Sequence, residues 1–306
     1  MASASTLIKT RNRRSVGEQA IRGLLALAAA LSVLTTTGIV FELVKEAIVF
    51  FGKVPFGDFF FGTKWTPLAG GESQSFGVLP LIWSTLYLTF IGLLVAIPVG
   101  LGVGIYLAEY ATPRVRRIFK PVVELLAGVP TIVFGFFALT YFTPFLSDLG
   151  FTLRIFNGLS AAIILGILVV PTIASVSEDA LSSVPQSLRE GAFGLGAAKW
   201  QVVVRVVFPA ALSGVVAGLV LGASRAIGET VLILVAAGNN PSLSPNLGIE
   251  HQNMAAFIAN TARADISAGS VAYGTIFAVG ATLFAITFVL NMFAIRFVRR
   301  YRQIYE

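Results

Sequence analysis

The segment Leu79–Tyr106 reads LPLIWSTLYLTFIGLLVAIPVGLGVGIY and contains no charged residue. A helix that spans a bilayer needs about 20 consecutive, predominantly apolar residues, so this segment is long enough to cross a membrane. Five further apolar stretches occur along the chain: Ile21–Val44, Val122–Phe145, Leu159–Val176, Val206–Ala236 and Val271–Phe293. The sequence therefore predicts six membrane-spanning segments.

The composition agrees with a membrane protein. Of the 306 residues, 56% are hydrophobic and only 12% are charged, too few charges to cover the surface of a soluble domain of this length. Backbone groups that face lipid must form their hydrogen bonds within one helix, so the predicted fold class is an all-α membrane protein. The chain has no cysteine, which excludes disulfides and thiolate chemistry.

The basic residues fall unevenly on the connecting segments. One side has sixteen, namely Lys9, Arg11, Arg13, Arg14, Arg22, Arg114, Arg116, Arg117, Lys120, Arg189, Lys199, Arg205, Arg296, Arg299, Arg300 and Arg302. The other side has five, namely Lys45, Lys53, Lys64, Arg154 and Arg263. The positive-inside rule places the richer side and both termini in the cytoplasm. The net charge of +7 is thus a sign of membrane topology, and no nucleic-acid partner is expected.

These assignments divide the chain into successive parts. We predict a cytoplasmic leader (1–20), an uncleaved anchor helix (21–44), an external segment (45–78), a five-helix core (79–293) and a basic cytoplasmic tail (294–306). The aromatic residues of the external segment are expected to lie at the membrane interface. The outer loop 237–268 contains the only histidine, His251, which we expect to be solvated. No ligand set accompanies it, so neither a metal site nor a cofactor is expected.

A cytoplasmic loop (177–205) between the fourth and fifth predicted spans has the pattern of a short amphipathic elbow. Ser183 is a candidate N-cap, with Pro185 in the first turn of the helix that follows. Leu188, Ala192 and Leu195 then share one helical face. Gly196 is a candidate end for this helix, and a second helix, Ala197–Val207, is expected before Pro209 re-enters the membrane. Physically, such an elbow is either a surface-lying helix or a docking site for a partner.

The spacing within this loop resembles the "EAA" signature of ABC importer permeases. Glu190-Gly191-Ala192 is followed by Gly196 and, nine residues later, by Val206-Val207-Phe208-Pro209. Gly191 stands where the family pattern has alanine, and Val206 and Phe208 replace isoleucine and leucine. The resemblance implies that this loop seats on a separate ATP-hydrolysing subunit. The chain itself has no G-x-x-x-x-G-K-[ST] phosphate loop, so we do not expect it to be an enzyme.

A charged residue lies in the middle of the fifth predicted span. Arg225 occurs in the run Ser224-Arg225-Ala226-Ile227-Gly228-Glu229-Thr230, four residues before Glu229. Charges at membrane depth are costly, and a spacing of four places both side chains on one helical face. One interpretation is a neutralised structural pair. The other is a polar pathway in which Arg225 offers a forked hydrogen-bond donor to an oxyanion and pairs with Glu229 again after the oxyanion has left.

The chain as a whole resembles the permease subunits of phosphate ABC importers, of the PstC type rather than the sister PstA type. The residues that carry this resemblance include Leu94–Val99, Val123–Val133, Trp65–Pro67 and the Gly-x-x-Arg-Ala-x-Gly-Glu-Thr run Gly222–Thr230. The resemblance implies a type I importer permease fold and a role for Arg225 and Glu229 in phosphate transport. It also implies a heterodimer with a PstA-like permease, two copies of a PstB-like ATPase, and an external PstS-like phosphate-binding protein, in a bacterial inner membrane.

Three rival functions are less well supported. A membrane-embedded enzyme would need paired carboxylates, a His cluster or an activated nucleophile at membrane depth, where the chain offers only Arg225 and Glu229. A secondary transporter would show inverted repeats and work without ATP. An ABC permease for sulfate, molybdate or phosphonate would share the loop but should lack the Arg-Ala-x-Gly-Glu run in this form.

Overall fold

The computed structural model describes residues 11–301, which are mostly helical. The helices are α1 (Arg11–Phe51), α2 (Phe56–Phe61), α3 (Leu79–Ile105), α4 (Pro113–Ala127), α5 (Thr131–Phe137), α6 (Thr143–Asp148), α7 (Gly158–Ser182), α8 (Gln186–Gly194), α9 (Lys199–Val202), α10 (Phe208–Ile227), α11 (Val231–Ala236), α12 (Met254–Thr261) and α13 (Val271–Tyr301). Two short strands, β1 (Trp65–Thr66) and β2 (Ser75–Phe76), pair antiparallel. Lys9 and Arg302, both counted with the cytoplasmic charges, lie outside the described residues.

Several of these helices are joined into longer ones by π-helical turns. Such turns run over Tyr106–Tyr110, Ala138–Phe142 and Val203–Val207, and each lengthens a helix without interrupting it. Six of the resulting helices are long and apolar enough to cross a membrane: Gly17–Phe51, Leu79–Tyr110, Thr131–Asp148, Gly158–Ser182, Lys199–Ile227 and Val271–Arg296. The predicted number of spans is therefore confirmed.

The predicted start of the third span was wrong. Residues 122–127 belong to α4, a separate helix that carries exposed apolar side chains on one side and basic ones on another. The break falls at Pro130, whose backbone is extended (ψ 134°). Proline has no N–H and also disfavours helical geometry in the residue before it, so α4 ends at Ala127 and the span begins at Thr131.

The centre of the fold is the packing of α3 against α7, and glycines allow their close approach. A Cβ on Gly166 of α7 would lie 2.5 Å from the carbonyl oxygen of Gly92 on α3. Gly100 and Gly104 of α3 also face α7, whereas a Cβ on Gly102 would meet no atom within 4 Å. Small residues let membrane helices pack at short distance. This pair forms the scaffold for the fifth span.

The external segment is folded. The sequence suggested that its aromatic residues lie at the membrane interface, but several of them are buried inside the protein. Phe50, Phe59 and Trp65 are buried together with Phe257 of α12. The Trp65 and Phe257 rings meet edge to face with centroids 4.9 Å apart, a favoured geometry for aromatic pairs. Burial of these large side chains fixes the segment after α1 against the outer end of the bundle.

Candidate functional site

The fifth span stops inside the fold, just beyond its charged residue. Arg225 lies in the last turn of α10, which ends at Ile227 and is capped by Gly228. Its half-buried side chain places Nη1 3.4 Å from Oγ1 of Thr172 on α7. A cation in the last turn stabilises the carbonyl end of a helix, because the helix dipole is negative there. The other N–H groups of Arg225 make no hydrogen bond to a described residue, so most of its forked donor set is available.

Glu229 lies in the gap between α10 and α11 and caps the second of these helices. Its side chain is 8% exposed, and Oε1 accepts a hydrogen bond of 3.2 Å from the backbone N–H of Leu232. The Glu229 carbonyl oxygen accepts a second bond, of 2.9 Å, from Nδ2 of Asn253. A carboxylate at a helix N-terminus satisfies an otherwise unpaired N–H and complements the positive end of the dipole. Glu229 and Asn253 thus hold the helix break in place.

The structure separates the two charges that the sequence placed on one helical face. The helix breaks between Arg225 and Glu229, and the two side chains are not joined by a salt bridge in the described part of the chain. The interpretation as a neutralised pair is therefore wrong for this conformation: each charge serves its own helix end. What remains is a partly buried guanidinium beside an interrupted membrane helix, an arrangement that can bind an oxyanion.

The cytoplasmic elbow has the predicted shape, with different helix ends. Ser183 closes α7, with its Oγ donating to the Ala180 carbonyl at 2.7 Å, and so does not cap α8 as predicted. α8 begins directly after Pro185 and ends at Gly194. Gly196 has φ +81°, a conformation that glycine adopts without strain, and it reverses the chain before α9 as expected. The second elbow helix runs without a break through Pro209, since α9, a π turn and α10 are continuous.

The predicted packing face of the elbow is only partly correct. Leu188 and Ala192 are half-buried against the cluster formed by the cytoplasmic ends of α7 and α10. Leu195 is 90% exposed, because α8 has already ended at Gly194. Glu190 and Gly191 are also exposed, and a Cβ on Gly191 would meet no atom within 4 Å. Glu190, Gly191 and Leu195 therefore form an open surface on the elbow.

A buried ion pair, which the sequence did not reveal, fastens the elbow to the bundle. Nη2 of Arg189 on α8 lies 2.8 Å from Oε1 of Glu109, in the π turn after α3. The guanidinium also donates to the carbonyl oxygens of Leu181 and Val184. The pair is not a surface contact, because the Arg189 and Glu109 side chains are only 11% and 8% exposed. Eighty positions separate the partners, so no local pattern could have linked them.

A second charge cluster joins α4 to α7. The buried carboxylate of Glu178 accepts from both Arg116 and Lys120, and Lys120 Nζ also lies 2.8 Å from Oδ1 of Asp179. Hydrogen bonds to Asp179 and Glu178 raise the pKa of Lys120 above its usual value. The basic loop that indicated topology thus has a structural role as well. Together the two clusters tie α4 and α8 to the same end of the bundle.

His251 is not the solvated residue that the sequence suggested. It is fully buried, with Nε2 2.9 Å from the Asn246 carbonyl and Nδ1 3.4 Å from Oγ of Ser84 on α3. Burial lowers its pKa, because the charged imidazolium would lose its hydration. The prediction failed because the outer loop packs over the bundle: Gly158, at the start of α7, donates its backbone N–H to the Ile249 carbonyl.

The fold and these sites define a class: a helical membrane protein with six spans, a break after the fifth span and an elbow between the fourth and fifth. Residues 100–303 match the family described as "Binding-protein-dependent transport system inner membrane component". The chain belongs to this family of membrane permeases. The predicted ABC importer permease fold is therefore confirmed.

Relatives and solved structures agree with this assignment. The chain is 30% identical to "Probable ABC transporter permease protein YqgH" of Bacillus subtilis (strain 168), covering 99% of this chain and 98% of that protein. It is 35% identical to "Phosphate transport system permease protein PstC" of Xylella fastidiosa (strain 9a5c), over 77% of this chain and 76% of that one.

Among solved structures, a MetNI methionine ABC transporter chain shares the fold with a TM-score of 0.59 at 20% identity, covering 74% of this chain and 98% of that chain. A chain of a bacterial alginate ABC transporter, in complex with an alginate-bound periplasmic protein, has the same TM-score at 18% identity, covering 92% and 96%. At such identities the likeness shows the fold alone.

Proposed function

We propose that this chain is the permease subunit of an ATP-driven importer of inorganic phosphate in a bacterial inner membrane. The observation that carries the proposal is Arg225, a half-buried guanidinium at the end of α10, beside the break in a membrane helix. An arginine suits this role because its planar fork matches the geometry of an oxyanion. The 35% identity to a protein named as a PstC phosphate permease supports phosphate as the oxyanion.

The proposed complex contains three further kinds of subunit. A PstA-like permease completes the membrane pathway, two PstB-like ATPases sit beneath it, and a PstS-like protein delivers phosphate from outside. The exposed elbow residues Glu190, Gly191 and Leu195 form the surface for the ATPase. The ion pair between Arg189 and Glu109 then transmits motion of the elbow to the end of α3.

The mechanism follows from which side chains are held by hydrogen bonds and which are available to bind phosphate. ATP binding closes the ATPase dimer, and the elbow moves the cytoplasmic ends of α3, α7 and α10 as one body. The helix break at Gly228–Thr230 faces alternate sides of the membrane as the bundle opens. Arg225 offers donors to the phosphate oxygens while they lose their hydration. Glu229 stays on the N-terminus of α11 and keeps the break in shape.

The test is ATP-dependent uptake of labelled phosphate by vesicles that contain the co-expressed permease, ATPase and binding-protein partners, with excess sulfate as competitor. Uptake that requires ATP and ignores sulfate is the expected result. Uptake that needs no ATP would overturn the ABC assignment and favour an ion-gradient transporter. ATP-driven uptake of sulfate, molybdate or phosphonate in place of phosphate would retain the architecture and overturn the substrate.

A further inference from the structure

The helix α4 turns a polar face towards the bundle and an apolar face away from it. The polar face is held by the contacts of Arg116 and Lys120 with Glu178 of α7. No side chain of α4 is fully buried. A helix on the surface of a water-soluble protein buries its apolar face against the core and leaves its charged face in water. The reversed orientation of α4 indicates that an apolar phase lies on its outer side.

The outer side of α4 carries a continuous apolar stripe. Its side chains are between 37% and 73% exposed, and they belong to Ile118, Phe119, Val122, Leu125 and Leu126. At 3.6 residues per turn, these five positions occupy about a third of the helix circumference. Large exposed apolar patches on a folded protein mark surfaces that meet another apolar body.

Two membrane spans hold α4 at the cytoplasmic side of the bilayer. It begins at Pro113, just after the span Leu79–Tyr110, and ends at Ala127, just before the span Thr131–Asp148. The basic residues of this connection place it in the cytoplasm. A helix tied this closely to a span at each end stays near the membrane surface. The apolar phase beside its stripe is therefore the lipid of the inner leaflet.

The charges of α4 define the class of lipid that it meets. The helix has four basic residues and one acidic residue, Glu124. Arg114 and Arg117 are exposed and form no salt bridge within residues 11–301. Arg114 lies on the same side of the helix as Ile118 and Leu125, at the edge of the apolar stripe. A guanidinium there matches the phosphate of a lipid headgroup, and basic residues beside an apolar face favour anionic lipids.

We propose that α4 is an interfacial helix that inserts its apolar stripe into the inner leaflet and binds anionic lipid headgroups through Arg114 and Arg117. The contacts of Arg116 and Lys120 with Glu178 then tie the cytoplasmic end of α7 to the same membrane surface. This inference goes beyond the proposed function and does not depend on which anion is transported.

Quenching by brominated lipids tests for lipid contact in the assembled complex in nanodiscs. A genetically encoded fluorescent amino acid is placed at Val122, on the stripe, or at Glu124, which is also exposed but lies about 160° away round the helix. Brominated acyl chains should quench the Val122 probe strongly and the Glu124 probe weakly. A Val122 probe that brominated lipid does not quench would show that a protein subunit covers the stripe, and would overturn the proposal.

The headgroup preference is measured in equimolar mixtures of phosphatidylglycerol and phosphatidylcholine, with bromine on the chains of one lipid at a time. Quenching of the Val122 probe should show about fivefold more anionic than zwitterionic lipid beside α4, the factor that one arginine supplies near a membrane surface. The preference should decrease as salt is added, because ions screen exposed charges. Equal quenching by the two lipids at low salt would contradict the proposal.

Two sets of variants separate the arginines of α4 from the general charge of the cytoplasmic face. The double variant Arg114→Gln, Arg117→Gln should lose the preference for anionic lipid while the stripe stays in contact with lipid. The Arg205→Gln variant, which changes an exposed cytoplasmic arginine outside α4, should keep the preference. A double variant that still prefers anionic lipid would refute the assignment to these arginines. Failed phosphate uptake with normal quenching would reject the proposed substrate and not the lipid site.

Discussion

Arg189 on the cytoplasmic elbow and Glu109 at the end of the second span form an almost fully buried ion pair, with Nη2 and Oε1 2.8 Å apart. The same guanidinium donates to two carbonyl groups at the end of α7. One side chain thus links α8, α3 and α7. A buried pair of this kind adds little stability over apolar packing, but removal of one partner leaves an uncompensated charge. Its value here is to hold the elbow in one position relative to the bundle.

We expect Glu109→Gln to uncouple ATP hydrolysis from transport. The neutral amide cannot compensate the Arg189 charge, so the elbow loses its fixed position while its exposed surface, the proposed contact with the ATPase, stays intact. Phosphate carried per ATP should fall about tenfold, within the usual range of coupling free energies between sites. Both rates are measured in the same proteoliposomes.

The control for this variant is Arg205→Gln, which removes an exposed charge of the same cytoplasmic region that forms no salt bridge within the described residues. It should leave the ratio of phosphate carried to ATP hydrolysed unchanged. If Glu109→Gln lowers transport and ATP hydrolysis in equal proportion, the pair supports assembly or folding and does not transmit motion.

The close approach of α3 and α7 predicts a sharp difference between two glycines. Gly166→Ala would push a methyl group to 2.5 Å from the Gly92 carbonyl oxygen, so the helices must separate. Overpacking of this kind typically costs about 1–3 kcal/mol. Gly102→Ala, at an open position of α3, should be neutral or stabilising because alanine favours the helix. Thermal unfolding of the purified complex in detergent compares them; equal unfolding temperatures would contradict the packing described here.

The sequence alone predicted the number of spans and the elbow well, because hydrophobic length and glycine position act locally. Gly196 has the left-handed backbone expected of a residue that ends a helix. Features that depend on contacts between distant residues were not predictable. Glu109 meets Arg189 across eighty positions, and His251 is buried only because the outer loop packs over α3 and α7.

The helix break at the candidate site is another feature that the sequence alone could not predict. A spacing of four between Arg225 and Glu229 predicts a shared face only if the helix continues. The bond from Asn253 Nδ2 to the Glu229 carbonyl, formed across 24 positions, stabilises the interruption instead. Local spacing predicted a shared helical face, and tertiary contacts decided the actual geometry of the two residues.

The buried His251 predicts that the outer loop loosens in acid. Its pKa is lowered in the folded protein, whereas in an unfolded loop it titrates near 6.5. Above about pH 6.5 both states are neutral and the full stability is present. As the pH falls below about 6.5, the open loop takes up a proton that the folded one resists, so stability decreases until the lowered pKa is reached.

Amide hydrogen exchange of residues 237–253, expressed as protection factors at about pH 7.5 and about pH 5.5, measures this effect. Protection should fall at the lower pH in the unchanged protein. The His251→Gln variant should be less protected at both pH values, since it loses the ring contacts with Tyr87, but its protection should not depend on pH. A loop whose protection is the same at both pH values with His251 present would contradict the prediction.

The decisive variant for the pathway is Arg225→Gln, which keeps a polar side chain and removes the charge and the guanidinium fork. Within residues 11–301, Arg225 makes one long hydrogen bond, to Thr172, so its loss should cost the fold little and the complex should assemble normally. Phosphate uptake should fall by at least about a hundredfold, since a desolvated oxyanion would lose its charged donor. Thr172→Val, which removes only that bond, should transport at close to the normal rate. Assembly is checked by co-purification of the ATPase, and uptake by labelled phosphate. Normal uptake by a fully assembled Arg225→Gln complex would show that this guanidinium serves only the end of α10.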